Sequence, residues 1–415
     1  MRRIVSAGAL VLALLSTALV PAMASTPAPT GLPSFYAVPT FSKTAKIGSV
    51  LKYEKVTPAP TGLNGTTYRI MYISQNYLKK PVAVTGFMVI PSGKAPAGGW
   101  KVVAYGHGTN GMADQCAESQ NPGSTEVSNT TTNIFLSHGW ALTYSDYQGE
   151  GTPGLMPYLA AVSAAQDTIN SVRAAHSIAL AHVGTTYMVW GHSEGGQTAV
   201  FANHIGKAYA PELTLKGVVA GAPPSQFAYI YGALQTTPYA YYLIMGAAGL
   251  NAYYGNTIAP LDQVMNPLAM SMLPDLETGC SAKISADVRP YVNSHTLNLL
   301  IKADPYTLPA WRKVLNWNDP AAFSAKSTVP LLMIQGGSDA QIPVASTALL
   351  FQELCPLGQT LQRWIYPGQS HSGVNDVAYQ DMITWMTHRF AGKATPDAYV
   401  PVGLNGVTPA AQTCN

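Results

Sequence analysis

Short apolar runs recur along this chain, and most of them end in glycine, proline or a small polar residue. Residues 68–73 and 82–90 are rich in Tyr, Ile and Val. Residues 101–105 run into Gly106, His107 and Gly108, residues 140–144 run toward Asp146, and residues 187–190 run into Gly191. Residues 216–220 run into Gly221, Ala222 and Pro223, residues 329–334 lead to Gly336 and Gly337, and residues 363–366 to Pro367 and Gly368. Runs this short and apolar predict strands buried on both faces. Between them lies helical spacing: Val162, Ala165, Ile169, Val172 and Ala179; then Ala199, Val200 and Ile205; and last Tyr379, Met382, Ile383, Met386 and Phe390. Strands alternating with helices predict a mostly parallel sheet covered on both faces. In such sheets the working residues sit on loops at the carboxyl ends of the strands.

Two segments break the alternation. Residues 25–66 are rich in Pro, Thr, Ala and Gly, and read as a surface-running lead-in. Roughly 100 residues separate the run ending near Ala222 from the one beginning near Val329, too many for a loop. Residues 225–261 contain no Asp, Glu, Lys, Arg or His, but seven tyrosines: Tyr229, Tyr231, Tyr239, Tyr241, Tyr242, Tyr253 and Tyr254. We read a cap lying over the strand ends. The expected organisation is a leader over 1–24, a first core part over 25–224, a cap over 225–325, and a second core part with the C-terminal tail over 326–415.

The leader is read from Met1, Arg2 and Arg3, an apolar run over 4–20, and the small-residue cleavage site Ala22, Met23, Ala24. A secreted protein, extracellular or periplasmic, is expected. Export changes how Cys116, Cys280, Cys355 and Cys414 read, because an even number in an oxidising compartment implies disulfides. Of the three connectivities, we expect Cys116 with Cys280 and Cys355 with Cys414, the second stapling the Pro-rich tail. Hydrophobic residues make up 47% of the 415 positions and charged residues 10%, which excludes disorder. Lys and Arg number 23 against 20 Asp and Glu, so no nucleic-acid partner is expected.

Gly191, His192, Ser193, Glu194 and Gly195 form the one GxSxG in the chain, with an apolar run before it and a helical pattern after it. That is the setting of a nucleophile elbow, in which a strained serine lifts its hydroxyl off a sheet. A serine hydroxyl needs a base. His371 follows the last strand and precedes the last helix. His192 also flanks Ser193, but an elbow neighbour is expected to point away from it. Imidazole needs a carboxylate to hold one tautomer. Asp339 follows the 329–334 strand and stands between Ser193 and His371 in chain order; Asp319 and Asp376 are its rivals. The oxyanion needs two N–H donors. One is expected from the backbone of Glu194 and the other from the loop of His107, Gly108, Thr109 and Asn110, with Thr109 preferred to Asn110. His107 is expected to shape that loop, and the Glu194 side chain to be solvated or hydrogen-bonded with no necessary role.

These features together resemble an α/β-hydrolase of the secretory lipase family, over roughly residues 40–395. The resemblance rests on His107 and Gly108, the elbow at 191–195, the cap after Pro223, the loop of Gly337, Ser338 and Asp339, and Ser370 with His371. It implies a mostly parallel central sheet flanked by helices, with a largely helical cap inserted before the strand leading to Asp339. It also implies hydrolysis of carboxylic esters, often acylglycerols, with Ser193, Asp339 and His371 as the triad. No metal or organic cofactor is called for. The expected partner is a small-molecule or lipid ester, and a transient contact with a lipid–water interface fits the uncharged first part of the cap; no obligate protein partner is implied. Those tyrosines could equally serve only to pack the cap onto the core. A serine peptidase or aminopeptidase on the same fold is the alternative. It would usually want acidic residues in the cap, and 225–261 supplies none, though Asp262, Asp275 and Glu277 follow.

Overall fold

A computed structural model describes residues 26–293 and 296–414. The expected leader over 1–24 and His295 lie outside the described residues. Ten strands form a single sheet in the order β1-β2-β3-β5-β4-β6-β7-β8-β9-β10. They are β1 (Val50–Lys55), β2 (Thr66–Gln75), β3 (Pro81–Ile90), β4 (Trp100–Gly106), β5 (Trp140–Ser145), β6 (Val183–His192), β7 (Thr214–Gly221), β8 (Leu331–Gly336), β9 (Leu361–Tyr366) and β10 (Ala410–Cys414). From β5 through β9 every neighbouring pair is parallel. The carboxyl ends of β4, β6, β8 and β9 therefore share one rim.

The sheet edges are antiparallel. β2 and β3 form a hairpin whose turn is set by Asn76, its Oδ1 accepting from the N–H groups of Leu78 and Lys80. β10 pairs with β9 at the far edge, and the Cys355–Cys414 disulfide holds its end. The lead-in expected over 25–66 is not confined to the surface. Phe35, Tyr36 and Val38 are buried against Met71, Ala83 and Ala117, and β1 pairs with β2. Aromatic burial there decides over the local Pro-rich composition, which only marks where the segment bends.

Helices cover both faces. On one face α2 (Ala161–Ser177) and α3 (Glu194–Tyr209), with α10 (Val344–Leu354), pack Ala165, Ile169, Val200 and Leu350 onto Val102, Val189 and Met333. On the other, α1 (Asn129–Ser137) and α11 (Gly373–Phe390) pack Phe135, Met382 and Trp385 onto Val103, Trp190 and Leu332. α1 begins at Ser128, whose hydroxyl accepts from the Thr131 N–H. Between β7 and β8 come α4 (Phe227–Leu234), α5 (Tyr241–Tyr254), α6 (Pro267–Ser271), α7 (Leu273–Thr278), α8 (Ser281–Asn293) and α9 (Pro309–Asn318). They build an apolar cluster of their own, including Ile244, Met245, Val288 and Trp311, that also takes in Met156 and Tyr158 of the core. Among the described residues no helix is long and apolar enough to cross a membrane.

Candidate active site

Ser193 sits between β6 and α3 with φ +59° and ψ −123°, a conformation costly for any residue with a Cβ. The neighbours hold it there. Its N–H donates to the Gly221 carbonyl at 2.9 Å, and its own carbonyl accepts from the Gly196 N–H at 2.8 Å. The two elbow glycines serve close approach. A Cβ on Gly191 would collide with the Gly195 carbonyl, and one on Gly195 with the Gly106 carbonyl. The strand and helix can thus meet only where both positions lack a side chain.

His371 follows β9 and Asp339 follows β8, and the two loops are knitted together. The Gly337 N–H donates to the Tyr366 carbonyl and the Ser338 N–H to the Gln369 carbonyl, each at 2.8 Å. His371 Nδ1 lies 2.7 Å from Asp339 Oδ2. Asp339 is itself pinned. Its Oδ1 accepts from the N–H groups of Gln341 at 2.8 Å and Ile342 at 2.9 Å, and its Oδ2 also accepts from Gln335 Nε2 at 2.8 Å. An ionised carboxylate only accepts, so Nδ1 carries the proton and Nε2 is left with its lone pair. Burial pushes the His371 pKa below the ordinary imidazole value, and the Asp339 carboxylate opposes it. The rivals are placed elsewhere. Asp319 accepts from the N–H groups of Gln226, Phe227 and Ala321, and Asp376 lies in the first turn of α11.

A cavity of about 300 Å³ at this rim is lined by Ser193, His371, Gly108, Thr109 and Asn110, with Tyr239, Tyr241 and Tyr242 from the segment between β7 and β8. Among the described residues the side-chain hydrogen bond of His371 is the one to Asp339, with none to Ser193 Oγ, a contact that commonly tightens only when substrate is bound. Thr109 Oγ1 pairs with the Tyr158 hydroxyl at 2.8 Å, and the Asn110 amide donates to the Cys116 carbonyl at 2.9 Å. The Cys116–Cys280 disulfide, the expected pairing, ties this loop region to the start of α8. The Ser281 N–H adds a 2.9 Å bond to the Asn110 carbonyl. Beside the cavity and sharing Tyr242 with it lies a second one of about 100 Å³, walled by apolar side chains such as Phe227, Ile230, Leu234 and Ile342.

Two side chains depart from expectation or were not foreseen, and a third, Glu194, takes one of the two alternatives expected of it. His192 does not point away. Its ring centroid lies 4.5 Å from that of His371, because Gly221 on the next strand leaves room; a Cβ there would stand 2.8 Å from His192 Cδ2. The Glu194 side chain takes the hydrogen-bonded rather than the solvated alternative, against the Leu159 backbone and Thr109. It is 2% exposed with Oε2 lacking a partner, and burial pushes its pKa well above the usual carboxylate value. Packing beneath the elbow wins over hydration there. Glu126, in the loop before α1, belongs to no motif. Its carboxylate accepts from the Gly108 N–H and approaches His192 Nδ1 at 3.4 Å. His107 is fully buried, with Nδ1 2.8 Å from the Gly108 carbonyl and its ring stacked 4.2 Å from that of Tyr147, as a loop-shaping residue should be.

A family model described as secretory lipase matches residues 117–398. Over 385 residues the chain is 25% identical to a probable inactive lipase of Mycobacterium tuberculosis, covering 88% of this chain and 83% of that one. It is 22% identical over 382 residues to a secreted triacylglycerol lipase of Malassezia globosa, covering 86% and 81%. The fold is similar to that of Candida antarctica lipase A in its closed state, with a TM-score of 0.75, 19% identity and 93% of each chain covered. It is also similar to a rice cell wall degrading esterase from Xanthomonas oryzae, with a TM-score of 0.66, 17% identity, and 84% of this chain and 97% of that one covered.

Proposed function

The chain belongs to the secretory lipase family, a family of carboxylic ester hydrolases, and on that footing we propose that it cleaves acyl esters through a Ser193–His371–Asp339 triad. One observation carries this reading: the 2.7 Å bond from His371 to Asp339 lies at the rim of the cavity that also holds the strained Ser193. His371 Nε2 takes the Ser193 proton as Oγ attacks the ester carbonyl. The tetrahedral oxyanion is held by the backbone N–H groups of Glu194, at the start of α3, and Thr109. The intermediate collapses, and the alcohol leaves with the proton from His371. Water then repeats the sequence on the acyl-enzyme, returning Ser193 and releasing the acid. The apolar cavity next to the site suits the acyl group.

Residues 225–325 act, in this reading, as a cap that contributes the tyrosines facing Ser193. Export belongs to the same reading, supported by two disulfides, the basic–apolar start of the sequence and the family's character. The test is a panel of p-nitrophenyl esters from acetate to palmitate, run beside aminoacyl-anilides, on the wild type and on Ser193→Ala. Ester cleavage should fall by about 10⁶-fold in the variant. Cleavage of anilides alone, or ester cleavage undiminished in the variant, would overturn the proposal.

A further inference from the structure

Glu126 reaches both sides of the site from a loop that carries no motif. One carboxylate oxygen accepts from the Gly108 N–H, in the loop that also presents Thr109. The approach is close enough that a Cβ on Gly108 would lie 2.8 Å from Glu126 Oε1. Oε1 lies 3.4 Å from His192 Nδ1, and the His192 ring packs 4.5 Å from that of His371. The His192 ring is 2% exposed, and its Nε2 has no partner. Resting on the triad reading above, we infer that Glu126 is a positioning residue for ester hydrolysis. It sets the donor loop through Gly108 and supports the developing His371 imidazolium through His192.

The charges around these groups set the sign of the effect. His371 faces Asp339 from the β8 loop, His192 from the end of β6, and Tyr239, Tyr241 and Tyr242 from the segment between β7 and β8. Glu126 faces His192, the Tyr105 hydroxyl on β4, and the further carboxylates Glu118 and Glu194. Among the described residues no Lys or Arg lines the cavity, so neither cancels the Glu126 charge there. A positive charge that appears on His371 only in the transition state is therefore met by a fixed negative charge one ring away. Such preorganised charge lowers the barrier without strengthening ground-state binding.

Glu126→Gln separates charge from shape, because its amide oxygen can still accept from Gly108. With p-nitrophenyl butyrate, kcat should fall about tenfold with KM nearly unchanged. The acid limb of the pH profile should move down by roughly half a pH unit, since losing an anion disfavours the imidazolium. Glu126→Ala also releases Gly108 and should bring the loss to about 100-fold. A Gln profile that superimposes on the wild type would overturn the inference. So would a fall in kcat with an unmoved acid limb, which a packing defect alone would give. Should the Ala variant fail to fold, the Gln variant decides. Ser193→Ala is run alongside. If it stays active, the triad reading itself fails; if it is inert while Glu126→Gln is unchanged, only this inference does.

Discussion

Replacing Asp339 by Asn tests the proposed triad at its most constrained point. The native carboxylate accepts four hydrogen bonds, two at Oδ1 from the Gln341 and Ile342 backbone and two at Oδ2 from Gln335 and His371. An Asn that keeps its oxygen on the two backbone donors must turn its NH₂ toward Gln335 Nε2 and His371 Nδ1. Donor then meets donor. His371 relieves the clash by moving its proton to Nε2, where it faces Ser193 and can no longer accept from it. A base locked in the wrong tautomer costs about 10⁴ in kcat, or about 5 kcal/mol of barrier. The fold loses far less. One charge-assisted hydrogen bond from Gln335 to the carboxylate is given up, worth about 1.5–3 kcal/mol, so the melting temperature should drop by only several degrees. The assay is the acylation burst with p-nitrophenyl butyrate on enzyme shown to be folded by near-ultraviolet circular dichroism. A well-folded variant losing less than about tenfold in kcat would refute the assignment of Asp339 as the orienting carboxylate.

Two further outcomes concern the scaffold. Asp167 on α2 is fully buried between Ser74 and the Gln148 N–H, and burial pushes its pKa up to about 7. The folded state then binds the proton more tightly than the unfolded chain, so this group's contribution to stability is complete at low pH and declines as pH rises from about 4 to about 7. Asp167→Asn, which mimics the protonated form, should raise stability at pH 8 and leave it nearly unchanged at pH 4; equal urea midpoint shifts at both would contradict this. Gly195→Ala would set its methyl 2.9 Å from the His107 carbonyl and closer still to that of Gly106. It should cost at least about 3 kcal/mol in urea unfolding, and a variant as stable as the wild type would disprove the close-approach account.

The pattern reveals the centre of the sheet better than its margins. β4 to β9 are short apolar runs because helices bury them on both faces, and periodicity records exactly that burial; β10, with four of its five residues exposed, leaves no such trace. β1 and the buried Phe35 and Tyr36 were hidden by Pro-rich flanks, since their burial depends on β2 and β3 rather than on local sequence. Within the candidate site, Asp339 and His371 could be picked out because each follows a strand through a glycine-marked turn. The Glu126–His192 contact could not, because it depends on the absence of a side chain at Gly221 and on the path of a loop with no periodicity.

The bond between Cys116 and Cys280 crosses 164 positions and joins the loop region beside Ser193 to the first residues of α8. The surface that would cradle substrate is thus assembled from two stretches synthesised far apart in time, and the later one must arrive before the earlier can be clamped. With the disulfide reduced, the 2.9 Å bond from the Ser281 N–H to the Asn110 carbonyl is left to hold the two stretches together.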